Sequence, residues 1–554
     1  DSDASDPGDW VSQSAGTTAC PASSSSWHGT RVAGVIGART DNAVGVAGVT
    51  WSGWLLPVRV LGKCGGSDSD IVAAMLWAAG IPVNGAPHNP YPARIINMSL
   101  GGPGTCSTTS SPYPNVIQQL TAAGVLVVAS AGNEGTVVDE PANCPGVAAI
   151  TGIRHVGTKV GFSNLGPEVA LSAPGGNCVN TDPTLPCLYP INSTTNLGTQ
   201  GPAANGYTDP LNIINVGTSF SAPIVSGIAG LMLSVNGNLT PAELIARLQE
   251  GATKPFPVST DPTVPVCHVP LSSSDTSQTS ECNCTTDTCG AGMANARGAV
   301  AAALRPVAAV AVPASVTAGQ SVSLNAVGSG AACGSSVTGY AWSVVSGVVP
   351  PPGIVVGTDP SKATVTAPSS GSYTIRVTVT DSAGRQDSAD VVLGPTSATT
   401  TAPASAGATA CLPAVTPTSN VAVSVSPTSA SVKTSGTLTF RATVSGATKS
   451  TSVSWFVNGM QGGNATVGTI STSGSYTAPA VVPSPATVTV TAMSVEDPSR
   501  SASATVTITQ RSSGGGGGGG GGGSTDVVLL LALAGAAAGR SNWTSRQRGK
   551  VTPD

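Results

Sequence analysis

The pattern of apolar residues changes once along this chain, near residue 306, and that change limits the folds that are available. Before it, short continuous runs of Val, Ile and Leu alternate with longer helix-like stretches. After it, apolar and polar residues alternate with period two between Gly, Ser, Pro and Asn turns, as in 372–381 and 421–427. Continuous apolar strands between helices indicate a parallel sheet covered on both faces, whereas period-two strands indicate antiparallel sandwiches. We therefore predict one α/β domain followed by all-β modules.

Individual elements of the α/β part can be placed from the same pattern. A serine just before an apolar periodic run is typical of a helix N-cap, and Ser67 has that position before 68–79. Further helices are expected at 115–123 and from Ser219 to about Ser234, and strands at 53–61, 94–100 and 124–130. This alternation of strand and helix is typical of the α/β class.

The period-two region is long enough for two sandwiches of about 100 residues each. We place them at 306–415 and 416–511, and each contains a tryptophan in a short apolar strand, Trp342 and Trp455. A tryptophan in such a strand is expected to be buried between the two sheets.

Low-complexity sequence follows the second sandwich. A linker at 512–523 ends in ten consecutive glycines, which predicts a flexible spacer. The last segment, 524–554, combines a 13-residue apolar run with a basic end. Because a spanning helix needs about 20 apolar residues, we expect no stable membrane span there.

Charge and cysteine content limit the classes of function. Charged residues make up 9% of the chain, with 23 Lys and Arg against 27 Asp and Glu. That balance provides no electrostatic footprint for nucleic acid, and it excludes disorder caused by high net charge. Twelve cysteines at irregular intervals favour disulfides, and therefore an exported protein.

Each part of the chain has an even number of cysteines, ten in the α/β part and two in the first sandwich. Cys333 and Cys411 bracket the first sandwich and form the simplest pair there, and Cys178 with Cys187 can close a short loop. A zinc site is the alternative interpretation of one group: Cys267, His268, Cys282, Cys284 and Cys289. Export and irregular spacing favour disulfides over zinc. The side chains expected at the surface include those of His88, His155 and His268.

Three local sequences carry residues suited to acyl transfer. His28 opens a helix with small residues in its next turns, Asn133 follows a buried strand, and Ser219 precedes a helix. Each residue alone has a structural explanation: a histidine beside glycine, a turn asparagine and a helix N-cap. Together they supply a base, an oxyanion donor and a nucleophile, which acyl transfer at neutral pH requires.

The joint pattern resembles the subtilisin-like serine proteases, the subtilases. Four matching stretches occur in the family's order: His28 to Gly34, Asn97 to Gly102, Ala131 to Gly135 and Gly217 to Pro223. An α/β-hydrolase is excluded, because its nucleophile lies in G-x-S-x-G with the histidine last, whereas here G-x-S-x-S follows the histidine. The resemblance implies an α/β, subtilisin-like, parallel-sheet catalytic domain at 1–305, followed by the two all-β sandwich modules.

The resemblance also implies roles for individual residues. His28 would be the general base, Ser219 the nucleophile and Asn133 the oxyanion donor. The residues implied in substrate binding are Ser99, Leu100 and Gly101, which would pair with the substrate backbone, Ala131 and Gly132, which would line the side-chain pocket, and Glu134 at its rim. No cofactor is implied for the chemistry and no metal ligand set is identified. A structural calcium ion would be consistent with the family.

The family's triad aspartate, in an Asp-Thr-Gly or Asp-Ser-Gly turn after an apolar strand, has no counterpart before His28. The aspartates available upstream lie in a polar stretch without such a strand: Asp1, Asp3, Asp6 and Asp9. We expect a solvated loop there, with a calcium-binding or substrate-rim loop as the alternative. We also expect that the sequence is truncated before its first strand, rather than that the protein is a natural pseudoenzyme, since His28, Asn133 and Ser219 are all present.

The segments after residue 305 carry weaker resemblances. Residues 306–415 resemble a PKD module and residues 416–511 resemble bacterial Ig-like repeats, which act as spacers or bind insoluble protein. The tail at 524–554 is similar to the sorting signals of bacterial surface proteins, and would contact the membrane transiently.

The resulting hypothesis is a secreted bacterial serine endopeptidase, extracellular or at the cell surface, that acts on proteins or peptides and not on nucleic acid. The alternative is a non-catalytic surface adhesion protein that retains the subtilase fold.

Overall fold

A four-stranded, fully parallel sheet forms the centre of the first half of the chain in the computed structural model. Its strands, in spatial and chain order, are β1 (Ile95–Met98), β2 (Leu126–Ser130), β3 (Val147–Ile153) and β4 (Val169–Pro174). The structure describes residues 8–12, 20–40, 42, 44–178, 185–400, 402–403, 405, 421–447, 450–495 and 500–510.

Helices cover both faces of this sheet. The helices are α1 (His28–Gly37), α2 (Asp68–Ala78), α3 (Tyr113–Ala122), α4 (Thr218–Val235), α5 (Pro241–Gly251), α6 (Thr286–Cys289) and α7 (Ala296–Ala303). A short hairpin of β5 (Thr194–Asn196) and β6 (Asn205–Tyr207) lies between β4 and α4 in the chain. Helices α4, α5 and α7 pack on one face of the sheet, and α2 and α3 pack on the other.

The burial of the central strands explains their sequence. Every residue of β2 and β3 is buried, and alternate side chains point into the two cores, with Val128 on the α4 face and Val127 on the α3 face. Both faces therefore require apolar residues, so the runs are continuous. This confirms the prediction of a parallel sheet covered on both faces.

The helices predicted from the sequence at 68–79, 115–123 and 219–234 correspond to α2, α3 and α4. The Ser67 hydroxyl accepts a hydrogen bond from the Asp70 N–H at 3.2 Å, which confirms it as the N-cap of α2. Helix α4 is the one helix in the described part of the chain that is long and apolar enough to cross a membrane by length and composition, and most of it is buried inside the fold.

The strand expected at 53–61 is wrong for the described residues. Residues 53–61 form no regular element and join no sheet in the part of the chain that the structure describes. Trp54 is 85% exposed, because no described strand lies alongside to cover it or to pair with its backbone. Apolar composition alone did not reveal whether a neighbouring strand was present.

Antiparallel sheets make up the second half of the chain. The strands up to residue 400 are β7 (Ser321–Asn325), β8 (Val337–Ser346), β9 (Val355–Val356), β10 (Lys362–Thr366), β11 (Tyr373–Asp381), β12 (Gln386–Leu393) and β13 (Ala398–Thr400). They form two sheets, ordered β7-β10-β9 and β13-β12-β11-β8, which enclose one apolar core. This arrangement agrees with the predicted sandwich.

A second group of sheets follows from residue 422. Its strands are β14 (Ala422–Ser426), β15 (Ser429–Lys433), β16 (Thr437–Thr439), β17 (Arg441–Ser445), β18 (Val453–Val457), β19 (Met460–Gln461), β20 (Gly463–Asn464), β21 (Gly468–Ile470), β22 (Ser475–Thr477), β23 (Thr487–Ser494) and β24 (Ser501–Thr509). They form sheets ordered β15-β24-β23-β18-β19, β16-β22-β21-β20 and β14-β17 around a second core. The β15–β24 pair is parallel, unlike its neighbours.

The two tryptophans of these modules differ in burial. Trp455 is buried in the second core, as predicted. Trp342 is only half-buried, because it lies on β8 at the edge of its sheet and its indole N–H donates to the Pro360 carbonyl at 3.0 Å. The centre of the first core is formed instead by β11, including Tyr373 and Val377.

A buried arginine joins the α/β domain to the first group of sheets. Arg247 of α5 is 1% exposed and donates to the Ala302 and Arg305 carbonyls at 3.1 and 2.8 Å. Its guanidinium also pairs with Asp387 of β12 at 3.2 Å, and Asp387 accepts the N–H of Ala308 as well. The Arg247 guanidinium is planar and has five N–H donors, so it can bind these carbonyl and carboxylate oxygens at the same time.

The cysteines of the α/β domain are paired in five disulfides: Cys20–Cys64, Cys106–Cys144, Cys178–Cys187, Cys267–Cys282 and Cys284–Cys289. The Cys178–Cys187 prediction is confirmed, and the zinc alternative is not supported, since its four cysteines are all in disulfides. Cys333 is also disulfide-bonded. Its predicted partner Cys411 lies outside the described residues, as do Asp1, Asp3, Asp6 and the tail from residue 511.

Candidate active site

Ser219 lies in the first turn of α4, which begins directly after Gly217. Gly217 has φ 141°, a conformation that L side chains rarely adopt, and a Cβ at this position would come within 3.5 Å of Asn133 Oδ1. The N–H of Ser219 belongs to the first helical turn, for which the helix itself provides no acceptor. Its hydroxyl makes no hydrogen bond among the described residues, and the side chain is half-buried. Both groups are therefore available to a bound substrate.

A chain of side-chain hydrogen bonds fixes this turn to the end of β1. The Ser226 hydroxyl donates to Asn97 Oδ1 at 2.9 Å, and Asn97 Nδ2 donates to the Ser99 hydroxyl at 2.9 Å. The Ser99 hydroxyl in turn donates to the Ser219 carbonyl at 2.6 Å. The Ser99 side chain thus positions the backbone that carries the candidate nucleophile.

The amide of Asn133 is held in one orientation. Its Oδ1 accepts the Thr218 N–H at 2.8 Å and the Thr218 hydroxyl at 3.1 Å. Since the Thr218 N–H can only donate, the atom that faces it must be the amide oxygen, so the amide nitrogen Nδ2 lies on the other side, and it has no acceptor among the described residues. The backbone N–H of Asn133 is separately bound by Glu134 at 2.7 Å. Two donors on residues linked through Thr218, Asn133 Nδ2 and Ser219 N, therefore remain for a developing negative charge.

His28 is the first residue of α1 and its imidazole packs against the residue that follows Ser219. The ring centroids of His28 and Phe220 are 5.8 Å apart in an edge arrangement. Phe220 also joins Val32 and Val35 of α1 in a small apolar cluster. This contact brings the candidate base beside the candidate nucleophile, although no hydrogen bond joins the two side chains in the described structure.

Burial lowers the pKa of His28, Arg31 lowers it further, and Asp9 opposes the shift. The imidazole is therefore mostly neutral at pH 7, which is the form that accepts a proton. Burial is the main cause because it removes water from the charged form.

No carboxylate hydrogen-bonds the His28 imidazole among the described residues. Asp9 instead accepts the Ser26 N–H and the Ser26 hydroxyl, both at 2.6 Å, and the Ser26 oxygen accepts the His28 N–H at 3.3 Å. Asp9 therefore supports the start of α1 and acts on the imidazole only through its charge. Asp9 lies in a loop, as the sequence predicts, and its contacts with Ser26 are exposed.

The other predicted substrate-binding residues lie around these groups. Gly102 exchanges backbone hydrogen bonds with Glu140, and a Cβ on Gly101 would come 2.8 Å from the Glu140 carbonyl. Leu100 is half-buried against the α2 and α3 core. Ala131, Gly132 and Glu134 lie in the loop of Asn133, on the same side of the domain as Ser219. Their roles in binding stay predictions.

Three residues that the sequence reasoning missed support the Asn133 loop. Thr218 orients the amide, Asn164 Oδ1 accepts the N–H groups of Glu134 and Thr136 at 2.9 and 3.0 Å, and Asp139 donates its backbone N–H to Ala131 at 2.9 Å. Thr218 lies inside a recognised motif, but Asn164 and Asp139 reach the loop only through the fold. No local pattern would have identified them.

Few groups of side chains in the described residues are close enough together to bind a metal ion. Two groups of close metal-type ligands occur there, Cys267 with Cys284 and Cys289, and Cys106 with Glu140 and Cys144. All of these cysteines are in disulfides and offer no thiolate. The three histidines expected at the surface, His88, His155 and His268, are exposed, as predicted.

Comparisons with known proteins agree with this geometry. A family model described as Subtilase family matches residues 2–288, and a model of a PKD domain matches residues 313–394. An extracellular protease of Xanthomonas campestris is 43% identical over 255 residues, covering 46% of this chain and 40% of the relative. An extracellular basic protease of Dichelobacter nodosus is 42% identical, covering 40% of this chain and 34% of the relative. The chain thus spans well under half the length of these two relatives.

A shorter relative is matched more completely. The subtilisin of Bacillus pumilus is 34% identical over 239 residues, which cover 42% of this chain and 72% of that subtilisin. Together with the family match over just over half of the sequence, this relation shows that the chain belongs to the subtilase family.

Proposed function

We propose that this chain is an extracellular serine endopeptidase that cleaves protein or peptide substrates through an acyl-enzyme on Ser219. The observation that carries the proposal is the amide lock at Asn133. The Thr218 N–H and hydroxyl hold Oδ1, which leaves Nδ2 and the N–H of the next residue, Ser219, free to donate, and two free donors of this kind are what a tetrahedral oxyanion requires. A protein with only a binding role has no need of this pair of donors.

The chemistry follows from the positions of the groups. The His28 imidazole accepts the Ser219 hydroxyl proton while the oxygen attacks the scissile carbonyl, and the resulting oxyanion receives hydrogen bonds from Asn133 Nδ2 and Ser219 N. The imidazolium then donates its proton to the departing amine. A water molecule, deprotonated by the same imidazole, attacks the acyl-enzyme and releases the second product. The lowered pKa of His28 keeps the base neutral before the first step.

Substrate contacts and context complete the proposal. The extended segment at Ser99 to Gly101 would pair with the substrate backbone, and Ala131, Gly132 and Glu134 would border its side-chain pocket. We infer a domain division at 1–305, 306–415 and 416–511. The subtilase match at 2–288 and the PKD match at 313–394 support the first two of these domains. The sandwich modules would be spacers or binders of insoluble protein, and the tail would direct cell-surface sorting.

Covalent labelling of the full chain with a fluorophosphonate tests the proposal, because labelling needs both a working base and oxyanion donors. We expect one adduct at Ser219, no labelling of Ser219→Ala, and unchanged labelling of Ser234→Ala, which alters an exposed serine on the same helix. Hydrolysis of casein should be lost in Ser219→Ala alone. A folded chain that neither labels nor hydrolyses casein would favour the adhesion alternative.

A further inference from the structure

Arg31 lies one turn after His28 in α1, and the mechanism above does not use its hydrogen bonds. The Arg31 Nε donates to the Thr195 hydroxyl of β5 at 3.2 Å, and its Nη1 donates to Asn215 Oδ1 at 3.4 Å. Both acceptors are uncharged, so neither neutralises the guanidinium. A half-buried cation therefore lies close to the candidate base and bonds two other parts of the domain.

Asn215 connects this guanidinium to the turn that carries the nucleophile. Asn215 is fully buried, and its Nδ2 donates to the Ile191 carbonyl at 3.0 Å, so its Oδ1 faces Arg31. Two residues later comes Gly217, directly after which α4 begins. A displacement of Asn215 would therefore also move the start of the helix that carries Ser219.

The hairpin of β5 and β6 holds the first turns of α1 from the same side. The Ser193 hydroxyl donates to the Arg31 carbonyl at 2.5 Å, and the Thr194 hydroxyl donates to the Thr30 carbonyl at 3.0 Å. A Cβ on Gly34 would clash with the Thr194 hydroxyl, because the helix and the hairpin approach each other closely. The start of α1 thus has little room to shift relative to the hairpin.

We propose that Arg31 is a positioning residue for the catalytic pair: it ties the helix that begins at His28 to the segment that leads to Ser219, and it places a positive charge one helical turn from the imidazole. This inference rests on the proposed function of His28 and Ser219. Side chains three residues apart on a helix are neighbours, so the charge acts on His28 directly. The guanidinium bonds Thr195 and Asn215 and no reacting atom.

The charged groups near His28 define the pH dependence. Arg31 lies on the same helix, and Asp9 lies on the segment before it, whereas Phe220 of α4 and the hydroxyls of β5 carry no charge. Burial is the largest cause of the lowered pKa of His28, Arg31 lowers this pKa further, and Asp9 raises it. Removing the Arg31 charge should therefore raise the pKa of His28. Because the base must be neutral to accept a proton, activity would then require a higher pH.

Two substitutions separate the tie from the charge. Arg31→Lys keeps the charge but has one nitrogen in place of the planar fork, whereas Arg31→Gln removes the charge and keeps an amide donor. On a chromogenic peptide anilide, we expect kcat at the alkaline plateau to fall about tenfold in both variants of the full chain, because small misplacements of reacting groups are costly. KM should change little, and only Arg31→Gln should move the acid limb of kcat/KM to higher pH.

The matched control is Arg39→Gln, which makes the same change at an exposed position just after α1. It should keep both the unmodified plateau and the unmodified pH profile. Thermal melting checks that each variant is folded. A structural role alone would lower kcat or the melting temperature without moving the acid limb.

A second measurement does not require turnover. The chain has four histidines, and the imidazole NMR signal that is lost in His28→Ala belongs to His28. In Ser219→Ala, the pKa read from this signal should rise when Arg31→Gln is added and stay unchanged when Arg31→Lys is added.

The outcomes distinguish this inference from the proposed function. Superimposable acid limbs for the unmodified chain and Arg31→Gln, an unchanged titration of His28, or an unchanged kcat plateau in Arg31→Lys would overturn the positioning role. An unmodified chain that neither hydrolyses the anilide nor labels with a fluorophosphonate would instead refute the proposed function.

Discussion

Replacing Asn133 with two different residues separates an oxyanion donor from a loop residue. Asn133→Ala removes Nδ2 and Oδ1 together, whereas Asn133→Asp keeps an oxygen for the Thr218 N–H and hydroxyl and removes only the donor. Loss of one preorganised donor is expected to lower kcat about 10²- to 10³-fold, roughly 3 to 4 kcal/mol. In Asn133→Asp the second carboxylate oxygen takes the place of Nδ2. A charge about 4 Å from the oxyanion adds roughly 4 kcal/mol at an effective dielectric constant of about 20.

Asn133→Asp should therefore be the less active variant, although it preserves the contacts seen in the structure. The assay is kcat and KM for a peptide anilide near pH 8, with the concentration of folded protein set by absorbance, and with KM expected to change little in both variants. Asn115→Ala, at an exposed position of α3, is the matched control. The reasoning would be refuted if Asn133→Asp equalled or exceeded Asn133→Ala, because the amide would then serve only to hold Thr218.

Three further changes test other parts of the structure. Ser99→Ala removes the hydroxyl that donates to the Ser219 carbonyl, so kcat should fall several-fold, consistent with about 1 kcal/mol for one hydrogen bond, and the alanine variant should keep its melting temperature within a few degrees. Arg247→Met leaves Asp387 and three carbonyls without their donor and should cost about 3 to 5 kcal/mol in urea unfolding. Arg376→Gln, at an exposed pair with Asp390, should cost less than about 1 kcal/mol, and equal losses would contradict the account of Arg247. Lys159 is fully buried, and burial lowers its pKa to about 7 from 10.5. The cost of the buried amine to the free energy of unfolding is therefore largest below about pH 7 and decreases as pH rises toward 10.5. Lys159→Met should therefore raise the melting temperature more at pH 6 than at pH 10, with a gain of at most about 5 kcal/mol at pH 6, because two carbonyl hydrogen bonds of the amine are lost.

The parts of the fold that the sequence predicted correctly are those whose cause is local. Strands β2 and β3 are buried on both faces, so their apolar runs are continuous, and Ser67 caps α2 through its own first turn. The prediction of a strand at 53–61 was wrong because a strand needs a neighbouring strand to pair with, and composition does not show whether one is present. The predicted burial of Trp342 was wrong for a related reason: the residue lies on an edge strand, and the order of strands in the sheet cannot be read from composition.

In the candidate site, too, residues in local motifs were predicted and residues brought in by the fold were not. His28, Asn133 and Ser219 were identified from short motifs, and the structure brings their elements together through Phe220 and Thr218. Asn164 was missed because it contacts Glu134 and Thr136 from 30 and 28 residues away, and Asp139 was missed because its contact with the loop is a backbone hydrogen bond to Ala131. Contacts of this kind arise from the fold and leave no spacing signal.

The most direct test of the central claim is to trap the acyl-enzyme. The full chain would be mixed with an activated ester, quenched in acid within the first turnover, digested and analysed by mass spectrometry. The account predicts one acyl adduct, on the peptide that contains Ser219. In Asn133→Ala the amount of this adduct rises only if the variant slows deacylation more than it slows acylation. An adduct on another residue, or ester hydrolysis that persists in Ser219→Ala without any adduct, would contradict it.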